Sequence, residues 1–151
     1  MNHSVLRFFR PALFFTLVAL AATFSGCAYI TGEAIKLPAV ALVITNVSPV
    51  QADGLIRANQ SNARFVILDV RAPSEYAGGH LPQAVNLDFN SSYFKAEAGR
   101  LDKNNTYLVY CRSGSRSAAA SKILVELGFS YIYNVTGGIT EWQAAGLPVV
   151  K

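Results

Sequence analysis

Apolar and polar positions along this chain follow two rhythms once a long apolar opening has passed. Residues 65–70 (FVILDV) and 106–110 (TYLVY) are continuous apolar runs of strand length, the pattern of strands covered on both faces. Shorter β-branched or aromatic runs at 84–87, at 131–135 and in the second half of 37–47 predict three more strands. Helical patterns lie between them. Ser48-Pro49 supplies an N-cap and a proline at the first helical position, opening a helix over 49–59 with Val50, Leu55 and Ile56 near one face. A break at Ala72-Pro73-Ser74 leads into a short helical turn around Glu75 and Tyr76, which stops at Gly78-Gly79. Further helices are expected over 92–99, closed by glycine, over 117–127, capped by Ser117 and stopped by Gly128, and over 139–145, holding Trp142. Strand and helix alternate throughout. That predicts one α/β domain with a central, mostly parallel five-stranded sheet and helices on both faces.

The start of the chain is different. Residues 1–10 carry Arg7 and Arg10 and no acid, and residues 11–24 are an apolar run too short for a confident membrane span. The small residues Ser25 and Gly26 follow, and the three parts together read as a secretory signal over 1–26. Phe24-Ser25-Gly26-Cys27 resembles a bacterial lipobox, with Phe24 where Leu is usual. The resemblance implies cleavage before Cys27, lipidation of its thiol, and an exported lipoprotein facing the periplasm or cell exterior. The alternative is an uncleaved N-terminal anchor helix, and both readings place the chain on a membrane. Several acyl chains anchor far better than one, at about 0.8 kcal/mol per buried methylene. Residues 27–46 then read as a lipid-anchored tether and the start of the first strand, and 47–151 as the domain.

Removing that segment changes the composition. The 52% hydrophobic content of the 151 residues is concentrated near the beginning. Beyond residue 27, 11 of the 13 basic side chains face all 9 acids, too small an excess to point to nucleic acid. Only two cysteines, Cys27 and Cys111, are present. A bridge between them is conceivable, but each sits in its own recognisable context, and a disulfide framework needs more. His3 and His80 are far apart and unaccompanied, so no metal site is expected.

Chemistry concentrates after the strand at 106–110. Ligands of open α/β sheets bind at the carboxyl ends of strands, and there Cys111 is followed by Arg112-Ser113-Gly114-Ser115-Arg116 and a helix. A short loop feeding a helix N-terminus can turn its N–H groups inward as a nest for an anion. A cysteine at its floor would be held as thiolate by amides, helix dipole and arginine, which lower such thiols from about 8.5 to roughly 3.5–7.5. Gly114 gives freedom at the sharpest point of the loop. The alternative is a buried core cysteine, the usual fate of a lone one. Two arginines, one glycine and three serines in the next six positions favour the thiolate, open to small anions.

Four segments in order carry a resemblance. They are Leu68-Asp69-Val70-Arg71 with Glu75-Tyr76, Gly79-His80-Leu81-Pro82-Gln83-Ala84-Val85-Asn86, the loop from Cys111 to Ser117, and Gly137-Gly138-Ile139 with Trp142. Together they resemble the single-domain rhodanese-like sulfurtransferases, from about Val47 to the end. One departure is Gln83, where that family commonly has glycine, with an altered turn as the expected consequence. The resemblance implies that Cys111 takes sulfur from an anionic donor such as thiosulfate, keeps it as a persulfide and yields it to a thiol or cyanide. It implies no cofactor. Arg116 would hold the donor and favour the thiolate, Arg112 would steer or bind the donor, and the amides from Arg112 through Ser113, Gly114, Ser115 and Arg116 to Ser117 would surround the sulfur. Asp69 and Arg71 are expected in a structural polar network, with Glu75 joining it. His80 and Trp142 are read as turn and core residues.

Two rivals come from other classes. A phosphatase or arsenate reductase could use a nucleophilic cysteine on a similar fold, but its loop places five residues between cysteine and arginine, where this chain has four. A non-catalytic binding or redox-sensing module is the other, and its inactive members typically lack the cysteine retained here.

Overall fold

A computed structural model of the chain describes residues 43–151. The expected signal segment 1–26, the acylation candidate Cys27 and the expected tether up to residue 42 lie outside them. Five strands, β1 (Val43–Val47), β2 (Phe65–Asp69), β3 (Val85–Asn86), β4 (Thr106–Tyr110) and β5 (Tyr131–Val135), alternate with five helices. The helices are α1 (Pro49–Ala58), α2 (Pro73–Gly78), α3 (Phe94–Ala98), α4 (Ser115–Glu126) and α5 (Gly138–Ala144). All strand pairings are parallel, in the order β1-β5-β4-β2-β3. The carboxyl ends of the strands therefore share one edge, with β4 in the middle of it.

Side chains of β2 and β4 divide between two cores, as fully covered strands must. Leu68 and Val109 join Phe94 and Ala98 of α3 and Ala120 and Leu124 of α4 on one face. Ile67 and Leu108 join Ala52 of α1 and Ile139 and Trp142 of α5 on the other. The helices thus cover both faces, as the alternation predicts.

Local chemistry explains the element ends. The Ser48 hydroxyl accepts from the Gln51 N–H, the Gln51 side chain accepts from the Ser48 N–H, and Pro49 opens α1. Two expectations change. Val50 is 67% exposed while Ala52 is fully buried: at 100° per residue, Ala52, Leu55 and Ile56 share the inward face and Val50 lies opposite it. The helix after the Cys111 loop begins at Ser115, not Ser117, with Gly114 at its N-cap in a left-handed conformation. Ser117 lies inside the first turn, so its hydroxyl is turned to other work.

Candidate active site

Cys111 follows the last residue of β4, and the loop to α4 wraps its sulfur. The Gly114 N–H donates to Sγ at 3.1 Å. Burial would push the thiol up. The Ser117 N–H and hydroxyl, with the N–H groups of Ser113 and Gly114, outweigh that and hold it below its ordinary value. The Gly114 carbonyl, 3.1 Å from the same hydroxyl, competes with the sulfur for its single proton. The α4 N-terminus adds its positive end. The loop can close this tightly because Gly114 adopts φ +96°, a region that favours glycine.

Cys111 is only 1% exposed and packs with Val109, Ala120 and Leu124. This corrects the expectation of an open thiolate: a ring of donors drawn around one sulfur leaves no space for water beside it. The side chains of Arg112 and Ser115, and Ser113, stand exposed at the rim.

Arg116 does not point its charge freely at a donor. Its guanidinium makes a bidentate pair with Glu75, Nη1 to Oε2 at 2.7 Å and Nη2 to Oε1 at 2.9 Å. Arg116 holds the Glu75 carboxyl down at about 2, helped by the Ala72 N–H that it accepts. Glu75 thereby also caps α2 and ties it to the catalytic-loop candidate. Glu75 makes no hydrogen bond to Asp69 or Arg71, so the expected three-member network is corrected to two separate ones. The reason is reach: the α2 N-terminus faces α4 across the sheet edge, and the bidentate geometry suits a guanidinium already there. Among the described residues Arg112 has no acidic partner.

The second network lies beneath. Arg71, 5% exposed, donates through Nε and Nη2 to fully buried Asp69, the latter at 2.6 Å, and through Nη2 to the Gly79 carbonyl. The Tyr110 hydroxyl donates to Asp69 at 2.6 Å and accepts from the Leu81 N–H. Burial and the Asp69 charge raise the Tyr110 hydroxyl, so it stays a donor. The Asn86 side chain completes the knot by donating to the Asp69 and Arg71 carbonyls. These bonds join the ends of β2 and β4 and the segment before β3 into one support under the loop. Tyr110, Gly79 and Asn86 were not foreseen in it. Only Asn86 and Gly79 stood within quoted motifs.

His80 stacks on Tyr76 with centroids 3.8 Å apart and bridges to Val150, while Trp142 is buried and donates to the Pro148 carbonyl. Both match the structural roles expected. Beside the loop a cleft of 340 Å³ runs between Ser74, Glu75, Gly79, Arg112, Thr140 and Gln143. A larger groove of 380 Å³ near Phe65 and Asn62 lies by the opposite end of β2 and has no titratable lining residue. Among the described residues no three metal-ligating side chains cluster, and no helix is long and apolar enough to cross a membrane.

A parallel sheet with a cysteine-floored loop at its central strand end defines a class, and the sequence comparisons agree. The rhodanese-like domain profile matches residues 52–145, and the chain belongs to that family. It is 30% identical to a sulfurtransferase of Allochromatium vinosum over 69% of this chain and 95% of the relative. It is 37% identical to the putative sulfurtransferase YtwF of Bacillus subtilis, over 59% and 84%. The crystal structure of a rhodanese-related protein from Thermoplasma volcanium superposes with a TM-score of 0.58 at 30% identity, covering 70% of this chain and 97% of that one.

Proposed function

We propose that this chain is a sulfurtransferase that moves sulfane sulfur from thiosulfate or a related anionic donor to a thiophilic acceptor through a persulfide on Cys111. The observation that carries the reading is the Gly114 N–H on Sγ at 3.1 Å, with Ser113 and Ser117 donors beside it. Relatives named as sulfurtransferases support it.

The Cys111 thiolate attacks the outer sulfur of thiosulfate. A new S–S bond forms, and the old one leaves with its electron pair on sulfite. The negative charge passes to the outer persulfide sulfur, about 2 Å beyond Sγ. Attack there by cyanide or a thiolate restores the Cys111 thiolate and releases thiocyanate or a new persulfide. No cofactor and no side-chain base are required, since the nucleophile already carries its charge. Arg112, exposed and without an acidic partner among the described residues, draws the donor to the rim. Arg116 acts through its field on the thiolate, with Glu75 fixing its position. Since Sγ is closed to water, the exposed rim at Arg112, Ser113 and Ser115 must part to admit the donor. Four residues between Cys111 and Arg116 make a ring suited to one sulfur atom, which disfavours tetrahedral phosphate.

The test is intact mass after thiosulfate treatment. The wild-type chain gains one sulfur atom and then forms thiocyanate from cyanide, and Cys111→Ser does neither. A wild-type chain that takes up no sulfur defeats the enzyme reading and favours a non-catalytic module. The N-terminal sequence supports an exported lipoprotein anchored through acylated Cys27. Cys27→Ser is expected to release the protein from membranes, and unchanged association points to an uncleaved anchor.

A further inference from the structure

The first turn of α5 lies directly behind the Cys111 loop. Ile139 donates its N–H to the Cys111 carbonyl at 2.9 Å, and Thr140 donates to the Arg112 carbonyl at 3.1 Å. A trans peptide plane carries its C=O and N–H on opposite edges. Holding these carbonyls on α5 therefore turns the N–H groups of Arg112 and Ser113 away from it. The Ser113 N–H is among the groups that favour the Cys111 thiolate. The contact is main chain against main chain. A Cβ on Gly138 would collide with the Cys111 carbonyl oxygen and stand 2.7 Å from the carbonyl carbon and oxygen of Arg112. A Cβ on Gly114 would come within 3.1 Å of the Gly137 nitrogen. None of these opposing atoms is the end of a flexible side chain, so a substitution must displace one backbone or the other.

We propose that Gly138 is a positioning residue for the sulfur chemistry: its bare Cα lets α5 hold two peptide planes of the loop with their N–H edges turned away from α5, that of Ser113 towards Cys111. The inference rests on Cys111 being the reacting thiol. It assigns the glycine pair before Trp142 a part in the reaction beyond helix initiation. Backbone strain alone would be a duller role, since Gly138 has φ +56°, but Gly146 separates the two. Gly146 has φ +71° and nothing within 4 Å of the Cβ it lacks.

The experiment follows alkylation of Cys111 by iodoacetamide against pH on the full chain, read on the Cys111 peptide by mass spectrometry. No variant removes a charged group near the loop: Arg112 and Arg116 on it, Glu75 from α2, Asp69 and Arg71 below, and Glu141 of α5 are all retained. Gly138→Ala is expected to raise the alkylation midpoint by about one pH unit, a tenfold loss of thiolate at equal pH. Its rate of persulfide formation falls about as much, with little change in KM. Gly146→Ala keeps the wild-type midpoint. Where Gly138→Ala does not fold, Thr140→Pro decides. It removes one of the two supporting donors without costing α5 a helical hydrogen bond, since this first-turn N–H is spent on the Arg112 carbonyl, and the same upward shift is expected. A folded variant of either kind with the wild-type midpoint overturns the proposal, as does an equal shift in Gly146→Ala. Alkylation needs no sulfur donor, so failure of sulfur transfer in the wild-type chain is read separately.

Discussion

Gln83 is the one non-glycine residue among those described with positive φ, at +64°. It follows Pro82 in a turn closed by the Ala84 N–H on the Leu81 carbonyl at 3.1 Å. Proline at the second position and positive φ at the third make the pattern of a type II turn, whose third position favours glycine. The turn has no freedom to relax. The Leu81 N–H is held by the Tyr110 hydroxyl, and the Ala84 carbonyl accepts from Tyr76 at 2.6 Å. A left-handed conformation costs a side-chain-bearing residue about 1–2 kcal/mol. Glycine at the same place loses about 0.4–1 kcal/mol through the extra freedom of the unfolded chain. Gln83 is exposed, so little contact is lost, and Gln83→Gly should stabilise the domain by about 0.5–1 kcal/mol, or roughly 2–5 °C in Tm. Urea unfolding followed by fluorescence of Trp142, the single tryptophan and 1% exposed, measures it. The midpoint should rise with the slope unchanged. Gln83→Ala keeps the strain and should bring no gain. A midpoint that stays or falls in Gln83→Gly refutes the reasoning.

Two further outcomes follow from the charge networks. Glu75 lies at about 2 in the folded chain against 4.5 ordinarily, so the folded state binds its proton more weakly. Its stabilisation is complete above pH 4.5 and is lost as pH falls towards 2. Glu75→Gln should therefore cost about 1–2 kcal/mol at neutral pH, discounted for a pair still partly in solvent, and the gap should narrow in unfolding curves taken at falling pH. An unchanged gap at low pH would show that the charge on Glu75 contributes nothing. Asp69→Asn leaves the Arg71 charge buried without its counter-ion and should cost about 3–5 kcal/mol in urea unfolding. Asp69→Asn with Arg71→Met should recover part of that loss. A neutral single variant would mean that the buried pair is not needed.

Features that depend on neighbours along the chain are legible in the amino-acid sequence. The apolar runs of β2, β4 and β5, the Ser48-Pro49 start of α1 and the placement of Cys111 between a strand and a helix are all local patterns. The glycine and serines around it announced a loop rich in donors, and that too is local. The tertiary structure alone decided which distant groups meet that loop. Glu75 and Arg116 lie 41 positions apart, and Tyr110 and Asp69 are equally distant. Parallel pairing of β2 with β4 brings their ends together, and no periodicity encodes which carboxylate then meets which cation. Burial of the sulfur is likewise a property of closure, since donors that point at one atom also exclude water from it. The seating of Gly138 against the Cys111 carbonyl could be seen only once α5 had been folded back onto the sheet edge.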